Sequence, residues 1–474
     1  MKDTTDAMTP TEAFGAWVAN TPDTWPAEAV HSAKREFIDQ IGVTVPGAVD
    51  ESTLGVYSAV KDWGDGPCTV VGQTKTLSAP WAALLNGTAG HALDFDDNFD
   101  PPKAHATTVL APAVWALGEQ EDASGKDCID AYIVGLQIMG RVGQGVNPLH
   151  RNRGWHATAT VGAVGAAAAC ARLLKLDALR AAYAISLSTS MAAGFMSQFG
   201  TMAKPVHAGL AAKSGVVAAS MARAGVAASL TTLDSRTGMN RLWVGPDYEE
   251  QRDSLTHFDH GQTLTFETDH VGEPLLITEH AFRVKRFPNC GSAHRAMDCL
   301  DLLMQDHGFG EDDVVKMVVH APKVHLNNLM HHDPRDPMEA KFSMQYALAC
   351  MLHTGNCTLA DFTPENVTRP AVRALYEKVE LDPIDKLEGE VTTVVEVHLK
   401  SGDRIEKGLD MPLGSKAAPF TDAQYWAKFD GCVAGFMTSQ QCEPVKAALN
   451  SLETVPSIAN LMTPLRLPFS PSAL

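Results

Sequence analysis

The chain has 474 residues, which is too long for one ordinary hydrophobic core, so we expect two domains. Hydrophobic residues make up 45% and charged residues 20%, as in ordinary globular proteins. The formal net charge of −18 argues against nucleic acid as a partner, because phosphate binding needs basic patches. The nine cysteines form no C-x-x-C pair, which argues against a disulfide framework or a structural zinc site and favours a reducing compartment.

The amino-terminal segment MKDTTDAMTP carries early acids and no apolar core, so we expect neither a secretory signal nor a transit peptide. The longest apolar stretch, residues 161–171, is too short to span a bilayer. These features predict a cytoplasmic protein with no membrane partner.

The first 270 or so residues predict helices. Thr9 or Thr11 can cap a helix that runs through Val18, and Pro26 can open another through Ile41. Small residues, which let helix axes approach closely, dominate three later segments, 157–175, 180–194 and 207–225.

The pattern changes after about residue 275. Residues 314–324 are strand-like, and residues 391–410 alternate around a Ser-Gly-Asp turn as in a hairpin. Helices are predicted at 292–307 and 339–353, and the last helices, at 421–450, should return to the first domain. We therefore predict a mainly α fold, in which a helical main domain (1–275 and 406–474) carries an inserted α+β domain (276–405), to which the family resemblance described below gives the role of a lid.

The stretch HALDFDDNFDPPKAH (91–105) crowds four aspartates between two histidines. Residues 96–100 spell D-D-x-x-D, a magnesium-binding pattern that needs its carboxylates on one helical face. Pro101-Pro102 prevents the next helical turn, and no second cluster of that kind follows. A single metal bound by Asp94, Asp96 and His105, a proton-transfer site and a solvated loop stay open as alternatives.

Three other segments carry candidate chemistry, each with an ordinary structural alternative such as a cap, a solvated helix end or a buried core residue. They are GWHATAT (154–160) with His156, FGTMAKPVHAGLAAKSG (199–215) with Lys204 and His207, and KRFPNCGSAHRAMD (285–298) with Lys285, Arg286, Cys290 and His294. Cys290 and His294 could form a hydrolase pair, but no orienting partner is evident. A non-catalytic helical scaffold is a further alternative.

Taken in order with GTAGHALDFDD (87–97) and EAKFSMQYALACMLHTG (339–355), these segments resemble the MmgE/PrpD family. That family includes 2-methylcitrate dehydratases, cis-aconitate decarboxylases and iminodisuccinate epimerases. The resemblance implies a homodimer without metal or organic cofactor, a di- or tricarboxylate substrate, and a site between helical domain and lid.

The resemblance also implies functional residues, position by position. The catalytic set falls on Asp94, His105, His156, Lys204 and Lys285, and the substrate-binding set on Asn98, His207, Arg286, Cys290 and His294. This chain departs from the family pattern where Ala-Thr follows His105, where one residue is inserted in the 98–104 loop, and at Cys290. Decarboxylases resemble one another in having histidine at that last position, which weakens the decarboxylase assignment.

Removal of a proton next to a carboxylate creates negative charge, which fixed cations must stabilise. We expect Lys204 and Lys285, with Arg286 or Arg295 nearby, to supply that charge, and His105 or His156 to move the proton. Dehydration of a hydroxy-tricarboxylate is the favoured reaction. Epimerisation of a dicarboxylate and decarboxylation are the alternatives, and the remaining aspartates are expected to cap, pair with neighbours or face water.

Overall fold

The computed structural model describes residues 8–254, 263–386 and 391–469. Within these residues the chain forms two compact units. The first contains the residues up to Ala92, Asp96–Arg283 and the residues from Asp422, and the second contains Leu93–Phe95 and Val284–Thr421. Helices predominate, which confirms the predicted mainly α fold class.

The first unit begins with thirteen helices and three short strands. Its helices are α1 (Pro10–Asn20), α2 (Ala27–Gly47), α3 (Glu51–Val60), α4 (Ala79–Ala92), α5 (Thr107–Gln120), α6 (Gly125–Gln144), α7 (Leu149–Asn152), α8 (Ala157–Leu173), α9 (Ala178–Thr189), α10 (Ala203–Arg223), α11 (Met239–Val244), α12 (Tyr248–Ser254) and α13 (Leu276–Glu279). Its strands are β1 (Asp65–Cys68), β2 (Asn98–Phe99) and β3 (Phe282–Arg283), and β2 pairs antiparallel with β3.

The first two helices start where the sequence predicts. The Thr9 hydroxyl accepts a hydrogen bond from the Glu12 amide, while the Glu12 carboxylate accepts one from the Thr9 amide. This reciprocal cap satisfies amides that have no partner inside α1. Pro26 precedes α2, which runs beyond the predicted end at Ile41 because its second half is buried and packs against α4.

Helices α4, α8 and α10 pack closely in the first unit. A Cβ atom on Gly209 of α10 would lie 2.1 Å from the carbonyl oxygen of Leu84 in α4, and one on Gly215 would lie 2.6 Å from the backbone of Ala166 in α8. Glycine at both positions lets the backbones touch. The predicted helices at 157–175 and 207–225 are confirmed, and the one predicted at 180–194 ends earlier, at Thr189.

The second unit is an α+β structure. Its helices are α14 (His294–His307), α15 (Lys323–Asn328), α16 (Pro337–Lys341), α17 (Met344–Thr354), α18 (Pro364–Val367) and α19 (Pro370–Arg373). Its strands are β4 (Val314–Pro322), β5 (Val379–Ile384), β6 (Thr393–Leu399) and β7 (Arg404–Leu409), in the sheet order β5-β4-β6-β7. β4 is parallel to β5, whereas β4–β6 and β6–β7 are antiparallel, so the predicted hairpin at 391–410 is confirmed.

Apolar side chains of the sheet and of α14 and α17 share one core, which includes Met297, Leu300, Val319, Leu348 and Val395. The helix predicted at 339–353 is divided. Its second part, α17, begins only after Ser343, whose hydroxyl accepts from the Tyr346 amide and so caps a new helix.

The chain then returns to the first unit through α20 (Asp422–Val433), α21 (Ser439–Asn450) and α22 (Ala459–Met462). α20 packs on α2, where Lys428 lies 2.6 Å from Asp39 and the Tyr425 hydroxyl donates to Glu36 at 3.0 Å. The four side chains are buried except for small parts of the lysine and tyrosine.

Among the described helices, none is both long and apolar enough to cross a bilayer. Residues 1–7, on which the prediction about a leader segment rests in part, lie outside the described residues.

Candidate active site

The acidic stretch folds as a buried turn and not as a helix. α4 ends at Ala92, Asp94 has a left-handed φ of 53°, and β2 follows at residues 98–99. The carboxylates of the D-D-x-x-D pattern therefore share no helical face. Asp96 is 0%, Asp97 1% and Asp100 8% exposed, so none of the three faces water.

Each of these three aspartates instead has a partner in the first unit. Asp100 forms an ion pair with Arg283, and Oδ1 of Asp97 accepts from the Thr107 amide at 3.2 Å. Asp96 contacts two histidines, His91 and His105.

Oδ2 of Asp96 accepts a hydrogen bond from Nδ1 of His91 at 2.8 Å and lies 3.3 Å from Nδ1 of His105. The two imidazole rings are 4.4 Å apart. His91 comes from the last turn of α4, and the His105 amide donates to the Thr158 hydroxyl of α8 at 3.1 Å. Helix α4 and helix α8 thus position the two histidines around one carboxylate.

His156, at the start of α8, brings a second pair of histidines to this group. Its ring stacks 6.0 Å from that of His91, and its Nδ1 lies 3.1 Å from Nδ1 of His207. Phe199 packs edge-on against His156 at 4.9 Å, and the Lys204 ammonium lies 5.6 Å from the centre of the Phe199 ring. The first unit therefore brings four predicted site residues into one neighbourhood.

Burial and neighbouring charges shift the pKa values of His91, His156 and Asp96. Burial lowers the pKa of His91 to about 4, against the opposing attraction of Asp96. Burial, with the nearby charges of His91, Lys204 and His105, lowers the pKa of His156 well below its usual value. Burial would raise the pKa of Asp96, but interactions with His91 and His105 hold that pKa well below its usual range. Near neutral pH, an ionised Asp96 therefore faces a neutral His91.

His91, Asp96 and His105 each offer one ligand atom within 4.8 Å of the others, a spacing that invites comparison with a metal site. Two ligands of a tetrahedral zinc with bonds of about 2.0–2.1 Å lie roughly 3.3 Å apart. The 2.8 Å between His91 and Asp96 is an ordinary hydrogen-bond distance, whereas the 3.3 Å between Asp96 and His105 matches the spacing of two zinc ligands.

In the second unit, Asp94 and Lys285 neutralise each other. The Lys285 ammonium donates to the Asp94 carbonyl oxygen at 2.5 Å and lies 3.1 Å from its Oδ1. Burial and then the charge of Asp94 raise the pKa of the Cys290 thiol, which keeps it protonated. Because the thiolate is the nucleophile, this argues against the cysteine-hydrolase alternative.

The two predicted arginines of the second unit are engaged by protein groups. Arg286 lies 2.9 Å from Asp298 and 2.7 Å from Asp301. Arg295 donates to the backbone carbonyls of Val391 and Asp410 and contacts His325. These contacts are typical of structural arginines that hold a fold together.

The remaining two predicted residues are His294 and Asn98. His294 is buried and packs edge-on against Phe287 with ring centres 5.4 Å apart. Asn98, in the first unit, sits in β2 opposite Arg283 of β3 and is partly exposed.

The sequence reasoning missed His91, and it named Asp96 only as a possible metal ligand. A signal was present, because His91 closes a helix of small residues and Asp96 follows five positions later. What the sequence did not show is that the intervening turn brings the two side chains within 2.8 Å.

The chain is similar to known proteins over most of its length. The MmgE/PrpD N-terminal domain matches residues 12–251 and the MmgE/PrpD C-terminal domain matches residues 287–454. Cis-aconitate decarboxylase of Homo sapiens is 27% identical over 460 residues, with 93% of this chain and 91% of the relative covered. Those of Mus musculus and Aspergillus terreus are each 25% identical, with 90% and 95% of this chain and 86% and 95% of the relative covered. The chain belongs to the MmgE/PrpD family.

Proposed function

We propose that the protein is a lyase that acts on a tricarboxylate by proton transfer next to a carboxylate, without a metal or organic cofactor. Family membership and the lyases among its relatives support the reaction class. The observation that carries the proposal is that two histidines with different surroundings lie close to Lys204. His105 lies beside the ionised Asp96, and His156 is neutral.

In dehydration of a 2-methylcitrate- or citrate-type substrate, each of these side chains has a role. Neutral His156 takes the proton from the carbon next to a carboxylate, since its unprotonated nitrogen is a base. His105, whose Nδ1 lies 3.3 Å from Oδ2 of Asp96, gives a proton to the leaving hydroxyl group. The C–H and C–O bonds break, a C=C bond forms and water leaves, while Lys204 stabilises the charge that develops on the carboxylate.

Decarboxylation of a cis-aconitate-type substrate is the second candidate, because the named relatives carry that activity. The C–C bond to one carboxylate breaks, carbon dioxide leaves, and a protonated group delivers a proton to carbon. Cys290 argues against decarboxylation, since a neutral thiol cannot replace the histidine that the decarboxylases resemble one another in having at this position.

Proton NMR in deuterium oxide tests the proposal, with citrate, 2-methylcitrate, cis-aconitate and iminodisuccinate as substrates. We expect deuterium at the activated carbon and an unsaturated product that has lost water. Loss of carbon dioxide would select the second candidate, and exchange with inversion would select an epimerase instead. Absence of both exchange and product with all four compounds would overturn the proposal, as would activity that excess EDTA abolishes and one divalent ion restores.

We also propose that the protein acts as a homodimer in the cytoplasm, as the family resemblance implies. Light scattering coupled to gel filtration should give twice the mass of the chain, and a monomer at micromolar concentration would contradict it.

A further inference from the structure

We propose that Asp96 and His91 are positioning residues that hold the imidazole of His105 with a proton on Nδ1, so that Nε2 exchanges the proton with the substrate. This inference rests on the proposed proton-transfer function. It concerns two residues that the sequence comparison with the family did not single out.

The exposed fractions of the three side chains indicate which of them can reach a substrate. The side chains of His91 and Asp96 are 0% exposed, whereas that of His105 is 13% exposed. A group without accessible surface cannot touch a substrate, so Asp96 and His91 act through His105. The three residues form a row that runs from the interior of the first unit to its accessible side.

Hydrogen bonding fixes the orientation of the row. Both oxygens of Asp96 face Nδ1 of His91, at 2.8 and 3.1 Å, so the carboxylate is anchored from the inside. Oδ2 also lies 3.3 Å from Nδ1 of His105, for which the described residues offer no hydrogen bond of good geometry. Such contacts are often long in ligand-free enzymes and shorten when the substrate binds.

The charges around the row support the same assignment. Lys204, His156 and Asp97 are among the described titratable groups of the first unit that interact with its members. His156 is neutral, and burial with the charges of Asp96 and Asp39 raises the pKa of Asp97 to about 8, so Asp97 is mostly protonated at neutral pH. Asp96 therefore supplies the carboxylate charge that a positively charged His105 needs.

Asp96→Asn tests this, because the amide keeps the shape but offers an N–H group where the carboxylate accepts one, which favours the wrong imidazole tautomer. We expect kcat to fall about 100-fold or more while KM changes less than about threefold. The alkaline limb of the pH–rate profile, which reports loss of the acid's proton, should move to lower pH. Asp97→Asn is the matched control, since it makes the same change one residue away and should retain most of the rate.

Nitrogen-15 NMR of the histidine rings in the wild-type protein provides a readout that needs neither substrate nor a variant of Asp96. The His105 signals, identified by their absence in His105→Gln, should show the proton of the neutral ring on Nδ1. A proton on Nε2, or an Asp96→Asn protein that folds and keeps more than half the wild-type kcat, would overturn the inference. If the tautomer is as expected but no carboxylate is turned over, the proposed function fails and the positioning role stands.

Discussion

Lys204 and His105 differ in what each can offer a carboxylate substrate. Lys204 carries a fixed charge, and its ammonium lies over the Phe199 ring that also packs against His156. His105 has a carboxylate partner and accessible surface, and so can hold a proton and release it. Substitution of the two residues should therefore separate binding from proton transfer.

Lys204→Ala should weaken both substrate binding and turnover, with losses of roughly 2–5 kcal/mol for a desolvated charge pair. His105→Ala should leave binding nearly intact and lower kcat about 100-fold or more. Calorimetric titration, kcat and melting temperature are measured for both variants, with Lys213→Ala on the same helix as the control. A stable His105→Ala protein that keeps more than half the wild-type rate would contradict this mechanism.

Some residues of the site could be predicted from the sequence, and others could not. His105, His156 and Lys204 could be named because each belongs to a segment with a recognisable pattern. The partner of His105 could not, since four aspartates lie within seven residues and local spacing does not rank them. The left-handed backbone at Asp94 and the turn after it decide that Asp96 faces the histidines and Asp97 the Thr107 amide.

The contact between α4 and α10 determines where His91 and Lys204 lie, since each residue belongs to one of the two helices. The helices approach at Gly209, where a Cβ would lie 2.1 Å from the Leu84 carbonyl oxygen and 2.5 Å from the Thr88 hydroxyl. Backbone atoms cannot move aside as the end of a flexible side chain can, so this approach depends on glycine.

Gly209→Ala should therefore lower the free energy of unfolding by about 1–3 kcal/mol, the usual cost of overpacking, although alanine favours helices. Gly55→Ala in α3, where an added Cβ meets nothing within 4 Å, should raise it by up to about 1 kcal/mol. Urea denaturation followed by circular dichroism measures both. Equal stabilisation by the two substitutions would show that α4 and α10 do not touch at Gly209.

Long elements could be predicted from the sequence and short ones could not. The helices at 157–173 and 203–223 are visible in their composition, and β4, β6 and β7 in their alternation. β2 and β3 have two residues each, which is too few for any period to show, and they exist because they pair with each other. The break between α16 and α17 follows from the Ser343 cap, which competes with helix continuation inside an apolar segment.

In the first unit, buried acids link helices from opposite ends of the chain. Glu36 and Asp39 of α2 face Tyr425 and Lys428 of α20, and the charges of Asp97 and Asp39 act on Glu36. Burial, then these charges, raise the pKa of Glu36 well above its usual value, and burial with the charges of Asp96 and Asp39 raises that of Asp97 to about 8. The folded protein therefore retains protons that the unfolded chain releases.

This predicts how stability depends on pH. Between the usual aspartate pKa of 3.8 and about 8, folded Asp97 holds a proton that the unfolded chain has lost, so stability falls as pH rises through that window. Asp97→Asn imitates the protonated acid and should make the slope less negative by up to about 1.4 kcal/mol per pH unit between pH 5 and 7. Urea denaturation across this range measures the slopes, and Asp122→Asn at the surface controls for net charge. Parallel curves for wild type and Asp97→Asn would contradict the assignment.

That residues 276–405 act as a lid stays a prediction. So does the assignment of Lys285, Arg286, Cys290 and His294 to the substrate, because the second unit shows them engaged with their own neighbours.

The packing of α20 on α2 also bears on how the protein is made. Asp39 is synthesised long before Lys428, which lies 2.6 Å from it in the finished fold. At about 5–20 residues per second, residues 284–421 alone take roughly 7–28 s to translate. Throughout that interval the nascent first unit lacks α20, and the surface of α2 that this helix covers stays open to water or to chaperones. A chain released before residue 422 should therefore accumulate as an incompletely folded, chaperone-bound species.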